Sequence, residues 1–104
     1  MTRETPSITI CGIPYSIVLE KDNFDADLHF GQIDYKTCTI RINEGITEEL
    51  QYEALCHEML HAILVHIGRS EMSQDEELVQ SLANAINQSF VPKIKGGKTN
   101  DRPL

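Results

Sequence analysis

Apolar and polar positions along the chain switch between two rhythms, a period of two in the first half and a helical period in the second. Ile8 and Ile10 alternate with Ser7 and Thr9, and residues 15–19 form another β-prone run beyond Cys11-Gly12-Ile13-Pro14. Alternation of this kind marks strands buried on one face. Gly12 and Pro14 supply turn chemistry, so a hairpin is expected here, with a single strand bulged at Gly12 as the alternative. A second hairpin is expected from Ile33 and Tyr35, then Cys38, Ile40 and Ile42, on either side of Lys36-Thr37. Residues 21–30, polar and carrying Asp22, Asp25 and Asp27, read as an irregular connection.

The rhythm changes after Asn43-Glu44-Gly45. Thr47 suits a helix N-cap, and Glu48 and Glu49 suit the positive end of the helix dipole. Over residues 48–67 apolar side chains fall on nearly every side of the helix axis, with His57, Glu58 and His61 among the exceptions. Such a helix is central and buried. Gly68 is placed to end it. A second helix is expected over residues 75–90, with Leu78, Val79, Leu82, Ala83, Ala85, Ile86 and Phe90 at helical spacing. The link between them is short, so the two should lie side by side and run in opposite directions. The expected fold class is α+β: a small antiparallel sheet of two hairpins packed on a central helix and a second helix. Residues 1–92 form one domain in this reading. Residues 93–104, rich in Gly and Lys without periodicity, form a flexible basic tail.

Histidines and a glutamate inside a buried helix are costly unless something satisfies them. Here they form His57-Glu58-Met59-Leu60-His61, the HExxH spacing. Two side chains four residues apart lie about 40° from each other around a helix, so both imidazoles reach one ion. The glutamate after the first histidine is positioned to act on a water there. Catalytic zinc takes a third protein ligand. The longer motif that adds a glycine and a third histidine is excluded, because Leu64 and Ile67 occupy those places. His66, about 180° around the helix from His57, reads as a helix-end or core histidine.

A carboxylate at the start of the second helix remains. Glu76 lies at the edge of the core-facing stripe and ranks first, with Glu77 and Asp75 behind it. Ser73-Gln74-Asp75-Glu76 also fits a capping box, which would turn Glu76 back on the chain.

Composition narrows the class. Sixteen acidic against nine basic residues, net −7, disfavour a nucleic-acid surface. The basic residues of the tail (Lys93, Lys95, Lys98, Arg102) either solvate the terminus or meet an acidic partner. Cys11, Cys38 and Cys56 are scattered, odd in number and without a CxxC, so no disulfide framework is expected, and Cys56 reads as a core residue. No signal-type run opens the chain, and no stretch approaches the roughly 20 apolar residues of a membrane span. A cytoplasmic protein is the expectation.

HEMLHAIL, followed by EELVQSLANAI, resembles the small gluzincin-type zinc peptidases of phages and bacteria, and the ImmA/IrrE-like metallopeptidases in particular. Their second element is a glutamate followed by spaced hydrophobic residues and an alanine, matched by Glu76, Val79, Leu82 and Ala83. The strand pair GQIDYKTCTIRIN leading into the first helix suits the arrangement, so the likeness covers residues 31–90. Within these 104 residues no helix-turn-helix is expected beside it. The resemblance implies a minimal zincin-like fold, Zn²⁺ on His57, His61 and Glu76, and a peptide or protein substrate. Glu58 would be the general base that moves a proton from water to the leaving amine. Tyr35, Tyr52 and His29 are candidates to steady the developing oxyanion. The strand over residues 39–42 would offer an edge to an extended substrate. The alternatives are a non-catalytic, zinc-stabilised interaction protein, since a domain this small gains from a metal staple, and a zinc hydrolase of a non-peptide bond.

Overall fold

Cys11 and Gly12 both take positive φ, 51° and 81°, the pairing that a two-residue hairpin turn requires. That turn closes β1 (Ser7–Ile10) onto β2 (Ile13–Glu20) in antiparallel register, Ile8 opposite Tyr15 and Ile10 opposite Ile13. The second hairpin joins β3 (Gly31–Asp34) to β4 (Thr39–Asn43), with Gly31 opposite Ile42 and Asp34 opposite Thr39. Its connection spans Tyr35 to Cys38, longer than the expected Lys36-Thr37, and Cys38 takes φ 51° to close it. The Asp34 carboxylate accepts hydrogen bonds from the backbone N–H of Lys36 (2.9 Å) and Thr37 (3.2 Å), which pins the turn. These descriptions come from a computed structural model that describes residues 5–21 and 30–96. The connection expected over residues 21–30 lies largely outside the described residues.

The fold class is α+β, with both hairpins present. They meet through a parallel pair, β2 with β4, so the strand order is β1-β2-β4-β3 and the sheet is mixed rather than antiparallel throughout. Two consequences correct the sequence reading. β4 is paired on both sides, and the edge nearest the helices' functional face is β3. The reason is physical: alternation dictates which face of a strand is buried, and not which neighbour it pairs with.

One face of the sheet carries Ile8, Ile10, Tyr15, Ile17, Ile40 and Ile42, all buried, against Leu55 and Ala62 of α1 (Glu48–His66). The opposite flank of α1, Cys56, Leu60 and Leu64, packs on Val79 and Ala83 of α3 (Glu76–Ser89). α1 is therefore sandwiched between sheet and helix, which explains why it is apolar almost all round. Thr47 caps it through its hydroxyl, which accepts from Leu50 N–H at 3.3 Å. Gly68, at φ 84°, ends it with its N–H bonded to the Val65 carbonyl.

The short link contains a one-turn helix, α2 (Ser70–Ser73). His57 meets Glu76 and Gln80 while Cys56 meets Asn87, so α3 runs back along α1 as expected. His66, at the end of α1, shares a 2.6 Å hydrogen bond with the buried Tyr15 hydroxyl and ties the helix to the sheet. Beyond α3 the segment expected to be mobile from residue 93 begins seated: Lys95 and Ser7 exchange two backbone hydrogen bonds of 2.8 and 2.9 Å, and Ile94 packs on the core. Lys98 and Arg102 lie outside the described residues. No helix among the described residues is long and apolar enough to cross a membrane.

Candidate metal centre

α1 presents His57 and His61 at the border between its α3-facing flank and the cleft, and α3 begins beside them with Glu76. Asp75, not Ser73, caps α3: its carboxylate accepts from Leu78 N–H at 3.1 Å. The capping box read from residues 73–76 does not form, and the Glu76 side chain faces the histidines. His57 Nε2 lies 3.0 Å from one Glu76 oxygen, His61 Nε2 3.2 Å from the other, and the two Nε2 atoms are 3.1 Å apart. His57, His61 and Glu76 thus form a group able to hold a metal ion. Glu77 is exposed in the first turn of α3, and Asp75 is committed to the cap.

The hydrogen bonds behind the imidazoles decide what those atoms are. Gln80 donates its amide hydrogens to Glu53 (2.8 Å) and Asn84 (2.9 Å), which turns its carbonyl oxygen toward His57 Nδ1 at 2.8 Å. A carboxylate is acceptor-only, so the amide orientation is forced and His57 Nδ1 must be the donor. In the neutral ring His57 Nε2 is then a lone pair. His61 Nδ1 lies 2.8 Å from Ser73 Oγ; in the tautomer that donates to this oxygen, Nε2 is a second lone pair facing His57 and Glu76.

Burial lowers the His61 pKa, against the pull of Glu76, so that ring is neutral near neutrality. Two imidazole nitrogens and a carboxylate converge within about 3 Å, an arrangement that a proton or a cation between them stabilises. Bonds of about 2.0–2.1 Å to a tetrahedral ion place neighbouring ligand atoms about 3.3 Å apart, close to the spacing observed. The donor set fits a divalent metal of borderline softness.

Glu58 sits beside this triad and is only 8% exposed. Burial raises its carboxyl pKa, with His57 opposing and Glu76 adding to the rise, to about 7. Its side chain passes close under β3: a Cβ on Gly31 would stand 3.4 Å from Glu58 Cγ and 3.2 Å from the Arg41 carbonyl. Triad and Glu58 open into a cleft of about 800 Å³ bordered by Phe30, Gly31 and Ile33 on one side and Ser70, Ser73 and Gln80 on the other.

Of the three candidates for an oxyanion donor, Tyr35 lines the cleft. Tyr52 instead packs against the sheet core, and His29 lies outside the described residues. Ser73, Gln80 and Glu53, which orient the imidazoles, were not anticipated. Gln80 falls one helical turn after Glu76 on the same face, a spacing that could have indicated it, whereas Ser73 fits a capping box in sequence and carries no ligand-orienting signal.

The chain was compared with protein-family models, with curated proteins and with solved structures, and none of them matches.

Proposed function

We propose that the chain is a small zinc-dependent peptidase of the gluzincin type, akin to the ImmA/IrrE-like enzymes, with His57, His61 and Glu76 as ligands. The observation that carries this reading is Glu58: a site whose metal serves only as a staple has no use for a buried carboxylate beside its ligands. A bound Zn²⁺ would supply Lewis acidity, lowering the pKa of water and polarising a carbonyl. The residues do the rest. Gln80 and Ser73 hold the two imidazoles with their Nε2 lone pairs inward. Glu58 accepts a proton from the attacking water as its oxygen bonds to the carbonyl carbon, then delivers that proton to the amine nitrogen as the C–N bond breaks. Products are a carboxylate and an amine.

A peptide substrate is favoured by β3, an edge strand that borders the cleft. An extended chain can add to such an edge through backbone hydrogen bonds. The test is Glu58→Gln. It is expected to take up one zinc per chain like the wild type and to lose roughly 10²–10⁴-fold of its activity on unfolded protein. A variant that keeps full activity would overturn the general-base role. A wild type that holds zinc and cleaves nothing would favour the interaction-protein reading.

A further inference from the structure

Two stripes of polar side chains face each other where α1 and α3 run in opposite directions. Glu53, His57 and His61 recur every fourth residue on α1, and Glu76, Gln80 and Asn84 do the same on α3. Residues four apart share a helix face. Glu76 and the two histidines make up one end of this seam. The other end is joined through Gln80, whose amide nitrogen donates to Glu53 Oε1 (2.8 Å) and Asn84 Oδ1 (2.9 Å) while its oxygen lies 2.8 Å from His57 Nδ1.

A chain of hydrogen bonds built from such groups can run in either direction. A neutral imidazole nitrogen is a donor or an acceptor according to the tautomer, and a Gln or Asn amide can turn round by 180°. In the reversed chain Gln80 would give an N–H to His57 Nδ1, and the ring hydrogen would sit on Nε2, facing His61 and Glu76. A nitrogen in that state has no lone pair for a metal ion. Glu53 removes the ambiguity. Of the four side chains Glu53, Gln80, Asn84 and His57, the carboxylate alone can only accept, so it draws the Gln80 N–H groups toward itself and away from His57.

We infer that Glu53 is a positioning residue of the metal centre, setting through Gln80 which nitrogen of His57 carries the hydrogen. The inference rests on the metal-binding half of the function proposed above and not on peptide cleavage. Glu53 lies four residues before His57 on the same helix, yet its carboxylate bonds across to α3, and its effect returns to α1 at one remove. The same carboxylate could instead act as a distant negative charge that attracts a cation. The two roles differ in one respect. A charge acts whatever side chain stands at position 80, whereas a group that sets direction is needed only while that side chain can turn round.

The experiment measures zinc affinity by competition with a chromophoric chelator in wild type, Glu53→Gln, Gln80→Glu and the double variant. The His57 tautomer is read by ¹⁵N NMR on the metal-free proteins at about pH 8, above the ordinary histidine range. Glu53→Gln keeps the shape of the side chain and frees the Gln80 amide to turn. It should weaken zinc binding on the order of tenfold, the lower end for groups behind metal ligands, and move part of the His57 hydrogen from Nδ1 to Nε2. In Gln80→Glu the group beside His57 is itself a carboxylate, which accepts from Nδ1–H without help. Adding Glu53→Gln to that variant should therefore cost no zinc affinity and leave the Nδ1–H tautomer complete. Equal weakening in both backgrounds would overturn the assignment in favour of a charge effect. So would Glu53→Gln with wild-type zinc affinity, or with the His57 hydrogen unmoved. A wild type that takes up no zinc would bring down the metal centre itself and this assignment with it, an outcome visible before any variant is made.

Discussion

A carboxyl group enclosed between a helix and a strand loses its hydration, and it keeps its charge only if a cation or hydrogen bonds replace the water. Glu58 is in this position, and the sign of its effect on stability follows. In the metal-free protein its pKa rises from 4.5 to about 7, so the folded state holds a proton that the unfolded chain has released over that interval. Glu58 therefore favours the folded state below about pH 4.5, and that contribution is lost as pH rises through 7. Glu58→Gln removes the dependence. By urea unfolding of apoprotein, the variant should gain on wild type between those pH values by on the order of 3 kcal/mol. Parallel pH profiles for the two proteins would contradict it.

The residues behind the ligands make a second prediction at this scale: Ser73→Ala and Gln80→Leu should each weaken zinc binding roughly 10–100-fold in a competition titration with a chromophoric chelator. The grouping of His57, His61 and Glu76 was legible in part, because helical spacing sets the two histidines on one side of α1, whereas Glu76 could only be ranked ahead of Glu77 and Asp75. Ser73 was not. A serine three residues before a glutamate is equally a cap, and only the position of Asp75 decides against it.

At the scale of elements, the centre depends on how closely α3 lies on α1. Ala83 is fully buried in that contact, so Ala83→Leu should force the helices apart, costing about 1–3 kcal/mol of stability. It should also weaken zinc binding by moving Glu76, although residue 83 touches no ligand. Unfolding curves and zinc titration of the same variant check both halves, and destabilisation with unaltered zinc affinity would show that Glu76 is positioned by its own turn alone. The helices could be read from periodicity and caps, Thr47 and Gly68 among them. The parallel β2–β4 pair could not, because it joins strands far apart in sequence whose side-chain alternation is compatible with several neighbours. For the same reason the edge strand was misplaced on residues 39–42 instead of β3.

Among the described residues the core is small, two clusters on the opposite flanks of α1, and a metal would bridge the elements that those clusters hold together. Binding to the folded state alone adds about 2.7 kcal/mol at a free zinc concentration of 100 times Kd. For a domain near 100 residues that corresponds to a rise of roughly 10–20 °C in Tm, which a chelator should reverse. The seated start of the C-terminal segment was illegible in sequence. Lys95 joins β1 through backbone groups, which carry no side-chain signature.

Zinc content per chain, measured by elemental analysis on tag-free protein purified without added metal or chelator, tests the central claim most directly. The account predicts about one zinc per wild-type chain and far less in His57→Ala or Glu76→Ala. Wild-type protein with little zinc and no uptake when zinc is supplied would contradict it, and would leave His57 and His61 as hydrogen-bonded histidines of a small α+β domain.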